Sequence, residues 1–85
     1  MTPRLQDRVL VTETEDGAVL LNERSGQYWQ LNSSGWLILQ TLLRGGSPDM
    51  AADALVARYP VEPEQARADV EALLATLRRA RLMRR

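Results

Sequence analysis

Four acids, Glu13, Glu15, Asp16 and Glu23, crowd two predicted turns, and they are the nearest this chain comes to a catalytic cluster. Carboxylates do general acid–base work when their surroundings hold them at different protonation states, and acids in solvated turns have no such surroundings. His and Cys are absent, and all eleven basic residues are Arg. The commonest general base, the zinc–thiolate set and the thiol nucleophile are therefore missing. No Ser has a His partner, no Gly-rich loop could cradle a phosphate, and no acids stand at metal-ligand spacing. The chemistry that remains is non-covalent recognition. Tyr28 and Trp29, inside Gln27–Leu31 (QYWQL), are the side chains best suited to it.

Those aromatics need a strand to carry them. Arg8–Thr12 (RVLVT), Ala18–Asn22 (AVLLN) and Gln27–Leu31 are short β-rich runs. Asp16-Gly17 marks the first turn, and Glu23–Gly26 the second. They predict a three-stranded antiparallel meander, which is not stable unless it packs on something. Helices follow. Asn32, Ser33 and Ser34 are good caps, and Trp36, Leu39, Leu42 and Leu43 recur at helical spacing until Gly45-Gly46. Ser47-Pro48-Asp49 opens a second helix that runs to about Arg58. Glu62-Pro63 begins the third and longest, with Ala66, Val70, Leu73, Leu74 and Leu77 as its apolar stripe. The expected fold is α+β and winged-helix-like: an N-terminal three-stranded antiparallel sheet, then three helices, in one domain spanning 1–85.

Two surfaces could bind a partner. Tyr28 and Trp29 are neighbours on a strand, so they point to opposite faces, and residue order alone does not say which meets the helices. If this strand is a sheet edge, its free N–H and C=O groups can pair with an extended peptide. The third helix would flank that edge, with Val70, Leu73, Leu74 and Leu77 as apolar wall, Asp69 on the Leu73 side, and Arg67 and Arg78 on the Leu74 side. Each feature is also what a small core with a solvated rim requires.

Charge adds a third feature. Arg78, Arg79, Arg81, Arg84 and Arg85 close the chain with no acid among them, while the first 77 residues hold six Arg against eleven acids. Such a tail can offset a helix dipole or contact an acidic partner. The two short helices resemble a helix-turn-helix, but the one that would read bases carries Asp49 and Asp53 with Arg58 as its cation. That balance, with acids in the turns of the wing, argues against nucleic acid. No apolar run is long enough to span a bilayer and the N-terminus has no signal-peptide core, so a cytoplasmic setting is expected.

Ala18–Leu31 (AVLLNERSGQYWQL), then Asn32-Ser33-Ser34-Gly35 with Trp36, then Asp69-Val70 with Leu73, Leu74, Leu77 and Leu82-Met83, together resemble the PqqD-like family. These are recognition elements for the precursors of ribosomally synthesised, modified peptides. The resemblance implies a non-catalytic, cofactor-free domain that binds a leader peptide as an added strand, antiparallel to the third strand and beside the third helix. It makes Gln27, Tyr28, Trp29, Gln30 and Leu31 the docking edge. Asp69, Val70, Leu73, Leu74 and Leu77 become groove wall, with Arg67 and Arg78 at the rim. A stand-alone chain of this kind is most similar to the small subunit of lasso-peptide maturation, an antibiotic-type biosynthesis, working beside a cysteine protease of transglutaminase-like fold. A small winged-helix regulator of DNA or protein is the alternative. Many relatives carry Gly before the last apolar pair, where this chain has Arg81.

Overall fold

The computed structural model describes residues 4–84; Met1, Thr2, Pro3 and Arg85, the last of the tail arginines, lie outside the described residues. Six elements follow in the expected order: β1 (Val9–Thr14), β2 (Gly17–Asn22), β3 (Tyr28–Asn32), α1 (Ser33–Leu43), α2 (Pro48–Arg58) and α3 (Pro63–Arg79). The sheet is antiparallel in the order β1-β2-β3, so β1 and β3 are its two edges. The fold is α+β, with a three-stranded sheet followed by three helices.

Capping explains where the helices start. The Asn32 side chain accepts from the Gly35 N–H at 2.9 Å and starts α1 at the very residue that ends β3. Ser47 does the same for α2 through the Met50 N–H, with Pro48 in the first turn. Helix α3 has Pro63 in its first turn and no side-chain cap, and its stability comes from its buried face.

The core forms where one face of the sheet meets the helices. Ala18, Leu20 and Leu31 from the sheet pack with Ile38, Leu39 and Leu42 of α1, Leu55 of α2, and Val70, Leu74 and Leu77 of α3. The period of two along β3 settles the aromatics: Trp29 lies on the Leu31 side, partly buried against the core, while Tyr28 on the other face is 67% exposed. Buried alanines, Ala51 and Ala52 of α2 and Ala66 of α3, leave room for helices to approach. Helix α1 packs on β2 and β3, and α2 packs on α1 and α3. Helix α3 stands farther from the sheet, and that offset opens a groove beside β3.

Two features depart from the sequence reading. The first turn is Glu15-Asp16, because Gly17 already pairs with Thr14 and with Asn32. Gly17 is needed for close approach instead: a Cβ there would meet the Leu31 carbonyl oxygen well inside contact distance. The second is the chain's end. Leu82 and Met83 are core residues, Leu5 bridges Met83, and the Gln6 N–H donates to the Leu82 carbonyl at 3.0 Å. The buried Asn22 ties the second turn to this end. Its Oδ1 accepts from the Arg24 and Ser25 N–H groups, and its Nδ2 donates to the Arg81 carbonyl.

Candidate peptide-binding groove

β3 pairs with β2 along one side only. The Asn22 N–H donates to the Gln27 carbonyl at 2.8 Å. Backbone groups alternate in direction along an antiparallel strand, so those of Trp29 and Leu31 also turn to β2. The N–H and C=O groups of Tyr28 and Gln30 point out from the free edge. Each is a strong hydrogen-bonding group with no strand to meet it. From Gln27 to Ser34 the chain carries no charge, so nothing along this edge repels an incoming backbone.

The edge opens into two adjoining depressions. One of about 440 Å³ runs along Trp29, Gln30 and Leu31 to Leu73 of α3. The second, about 460 Å³, lies beyond Asn32 among α1, α2 and α3. Asn32, Gly35 and Leu73 border both, so the two form one continuous channel. Gly35 is buried at this junction, and a Cβ there would sit 3.2 Å from the capping oxygen of Asn32. The second depression has apolar walls, Ile38, Leu55, Ala72 and Leu73 among them, and polar groups from Asp69, Thr76 and Tyr59. Tyr59 is held in place by a 3.1 Å hydrogen bond between its hydroxyl and that of Ser33. Asp69 accepts from the Gln65 amide at 2.8 Å, and is otherwise exposed. Such a channel suits an extended chain that pairs along the edge and lowers apolar side chains inward.

The structure divides the residues expected at the site. Trp29, Gln30, Leu31, Asp69 and Leu73 line the channel. Gln27 stands at the start of the edge, and Tyr28 contributes its outward backbone. Val70, Leu74 and Leu77 correct the expectation: each is at most 1% exposed, inside the core, and forms no part of the groove surface. At 3.6 residues per turn, Asp69, Ala72 and Thr76 cluster on one side of Leu73, while Arg67 and Arg78 fall on the far side of the buried stripe. Arg78 borders a different depression, with Arg79, Arg81 and Gln6. Asn32, Gly35, Tyr59, Ala72 and Thr76 were not anticipated. Counting three and four residues either way from Leu73 finds only Thr76 among them, three positions after it.

No group of three or more His, Cys, Asp or Glu able to hold a metal occurs among the described residues. No helix there is long and apolar enough to cross a membrane.

Fold and site together define a winged-helix-like domain whose uncharged free sheet edge faces a groove under its last helix. The chain belongs to the PqqD family: the family described as coenzyme PQQ synthesis protein D (PqqD) matches residues 17–83. Among solved structures, it is similar to lasso peptide synthetase B1 complexed with the leader peptide, at 40% identity and TM-score 0.94, with 100% of each chain covered. TbiB1 in complex with the TbiA(beta) leader peptide is 29% identical, TM-score 0.87, over 94% of this chain and 93% of that one. The PqqD truncation of Methylobacterium extorquens PqqCD, described as a functional, stand-alone recognition element for ribosomally synthesised and post-translationally modified peptides, is 26% identical. Its TM-score is 0.76, over 99% of this chain and 89% of that one. No curated protein sequence matches significantly.

Proposed function

We propose that this chain binds the leader segment of a ribosomal precursor peptide, does no chemistry on it, and presents it to the enzyme that cuts it. The observation that carries this reading is the uncharged, outward-facing backbone of Tyr28 and Gln30 beside the channel to Leu73. Two similar solved structures are leader-peptide complexes, and one of them is a lasso peptide synthetase B1. The leader adds to β3 as an antiparallel strand. Backbone pairing gives affinity that tolerates sequence variation, and side chains lowered into the channel give specificity. A free leader is disordered and loses entropy on docking, so buried apolar anchors must offset that cost. A Kd between nanomolar and low micromolar, about −8 to −12 kcal/mol, follows from that balance. The pathway is lasso-peptide maturation, the partner is a cysteine protease of transglutaminase-like fold, and the setting is the cytoplasm.

The test is a titration with a synthetic leader peptide from the precursor encoded beside the gene. Trp29 lines the channel and Trp36 lies away from it on α1, so the Trp36→Phe protein reports through Trp29 alone. Saturable, one-to-one binding with a change in Trp29 emission is expected. Absence of binding by fluorescence and by calorimetry would defeat the reading.

A further inference from the structure

Among the described residues, the tail arginines Arg78, Arg79, Arg81 and Arg84 lie outside both the core and the groove. Arg81 sits at φ +60°, a left-handed conformation that Gly adopts without steric cost and Arg does not. Backbone strain kept at an exposed position invites a search for what the side chain does. Arg81 borders two depressions. One, about 350 Å³, it shares with Arg24, Gln27, Gln6 and Asp7. The other, about 410 Å³, it shares with Gln6, Arg78 and Arg79. Arg81 and Gln6 belong to both, so Arg24, Arg78, Arg79 and Arg81 make one basic surface. All four are exposed, and among the described residues none of them has an ion-pair partner. The acid at its margin, Asp7, is already bound by Arg84 at 2.6 Å. Gln27, which also borders this surface, immediately precedes β3. The basic surface therefore lies at the end of the docking edge opposite Asn32.

We propose that this surface is a second contact for the bound peptide, and that it takes a carboxylate-bearing stretch continuing past the Gln27 end of β3. The inference rests on the strand-addition reading above. A peptide antiparallel to β3 enters at Asn32 and leaves at Gln27, so the acidic residues follow the paired ones. The charge layout gives the peptide its direction. Reversed, the same acids would lie beside Asp69 at the other end of the channel, where like charge repels them. Nucleic acid is the competing polyanion. The patch is small, however, and the first 77 residues carry a net charge of minus five, six Arg against eleven acids.

The experiment uses the full chain, its Arg24→Gln, Arg81→Gly and double variants, and two synthetic peptides. One is the leader encoded beside the gene; the other has its acids after the paired stretch changed to amides. At low salt the double variant binds the natural leader about three- to tenfold more weakly than wild type, and the gap closes at high salt. The amide peptide binds both proteins alike. Thermal unfolding of Arg81→Gly guards against misfolding, since Gly relieves the left-handed residue and raises the transition. Equal affinity of wild type and double variant, or of the two peptides for wild type, overturns the inference and leaves the proposed function standing. So does displacement of the leader by a short DNA duplex at comparable concentration. If wild type binds no leader, the proposed function falls and this inference falls with it.

Discussion

β1 and β3 are edges of one small sheet, yet only one is suited to receive another strand. Along β1 the outward donors belong to Val9, Val11 and Glu13, as the bond from the Glu23 N–H to the Arg8 carbonyl implies by alternation. The Val9 N–H is already taken by the Gln6 carbonyl at 3.3 Å, and Glu13 puts a charge on the strand. Both are ways by which an edge avoids unwanted pairing. β3 has neither. Its outward groups are open, its side chains uncharged, and it borders a channel floored by Leu73. An edge becomes a docking site when pairing groups and an apolar trough lie together, and exposure alone is not enough.

The largest effect comes from removing the seam that makes β3 an edge at all. Gly17→Val drives a branched side chain into the Leu31 carbonyl at the β2–β3 junction. We expect a loss of about 4 kcal/mol, seen as collapse of the urea midpoint together with leader binding. Two neighbours on α3 then separate groove from core. Leu74→Arg buries an unpaired charge at a position 1% exposed and unfolds the chain. Leu73→Arg, at a partly buried residue bordering both depressions, keeps the circular dichroism spectrum and weakens the leader by about a hundredfold, as loss of a central anchor does. Normal binding by Leu73→Arg would mean that the channel is not the trough the peptide uses.

That pair also shows what the sequence could and could not reveal. Element order, caps and the aromatic strand were legible, because a period of two, a period of 3.6 and Asn or Ser before an apolar run are local signals. The groove wall on α3 was legible only in part. Apolar periodicity marks the face a helix buries, so Val70, Leu74 and Leu77 stood out and turned out to be core. The wall is the margin of that stripe: Leu73 and Asp69, which were expected there, with Ala72 and Thr76, which read as an ordinary solvated face. The contribution of Tyr59 comes from the α2–α3 connection, which has no periodicity. Pairing of Leu5 with Met83 is a contact between chain ends that no local pattern encodes.

A smaller effect compares the two edges directly. Gln30→Pro removes one outward N–H while leaving the bonds to β2, a position where an edge strand tolerates Pro. One amide hydrogen bond contributes about 1 kcal/mol, so leader affinity should fall about fivefold. Glu13→Pro makes the matching change on β1 and should leave affinity as it was. Equal losses from the two would show that Pro acts through the sheet as a whole, and the distinction between the edges would fail.

The smallest effect is a gain. Arg81 ends α3 in the left-handed region, with its N–H donating to the Arg78 carbonyl at 3.0 Å and the Leu82 N–H to the Leu77 carbonyl at 2.9 Å. This is the arrangement in which helices favour Gly. Arg81→Gly removes the Cβ clash and adds chain entropy to the unfolded state, two opposed terms whose sum favours Gly by about 0.5–1 kcal/mol. The melting temperature should rise by about 3–6 °C. The gain belongs to the α3 terminus, so it should leave the Gln30→Pro and Glu13→Pro comparison unchanged when combined with either. A chain made more stable and at the same time poorer at holding its leader would place the benefit of Arg81 in binding. A chain more stable with binding intact would leave the strained arginine without a role at the Gln27 end of the edge.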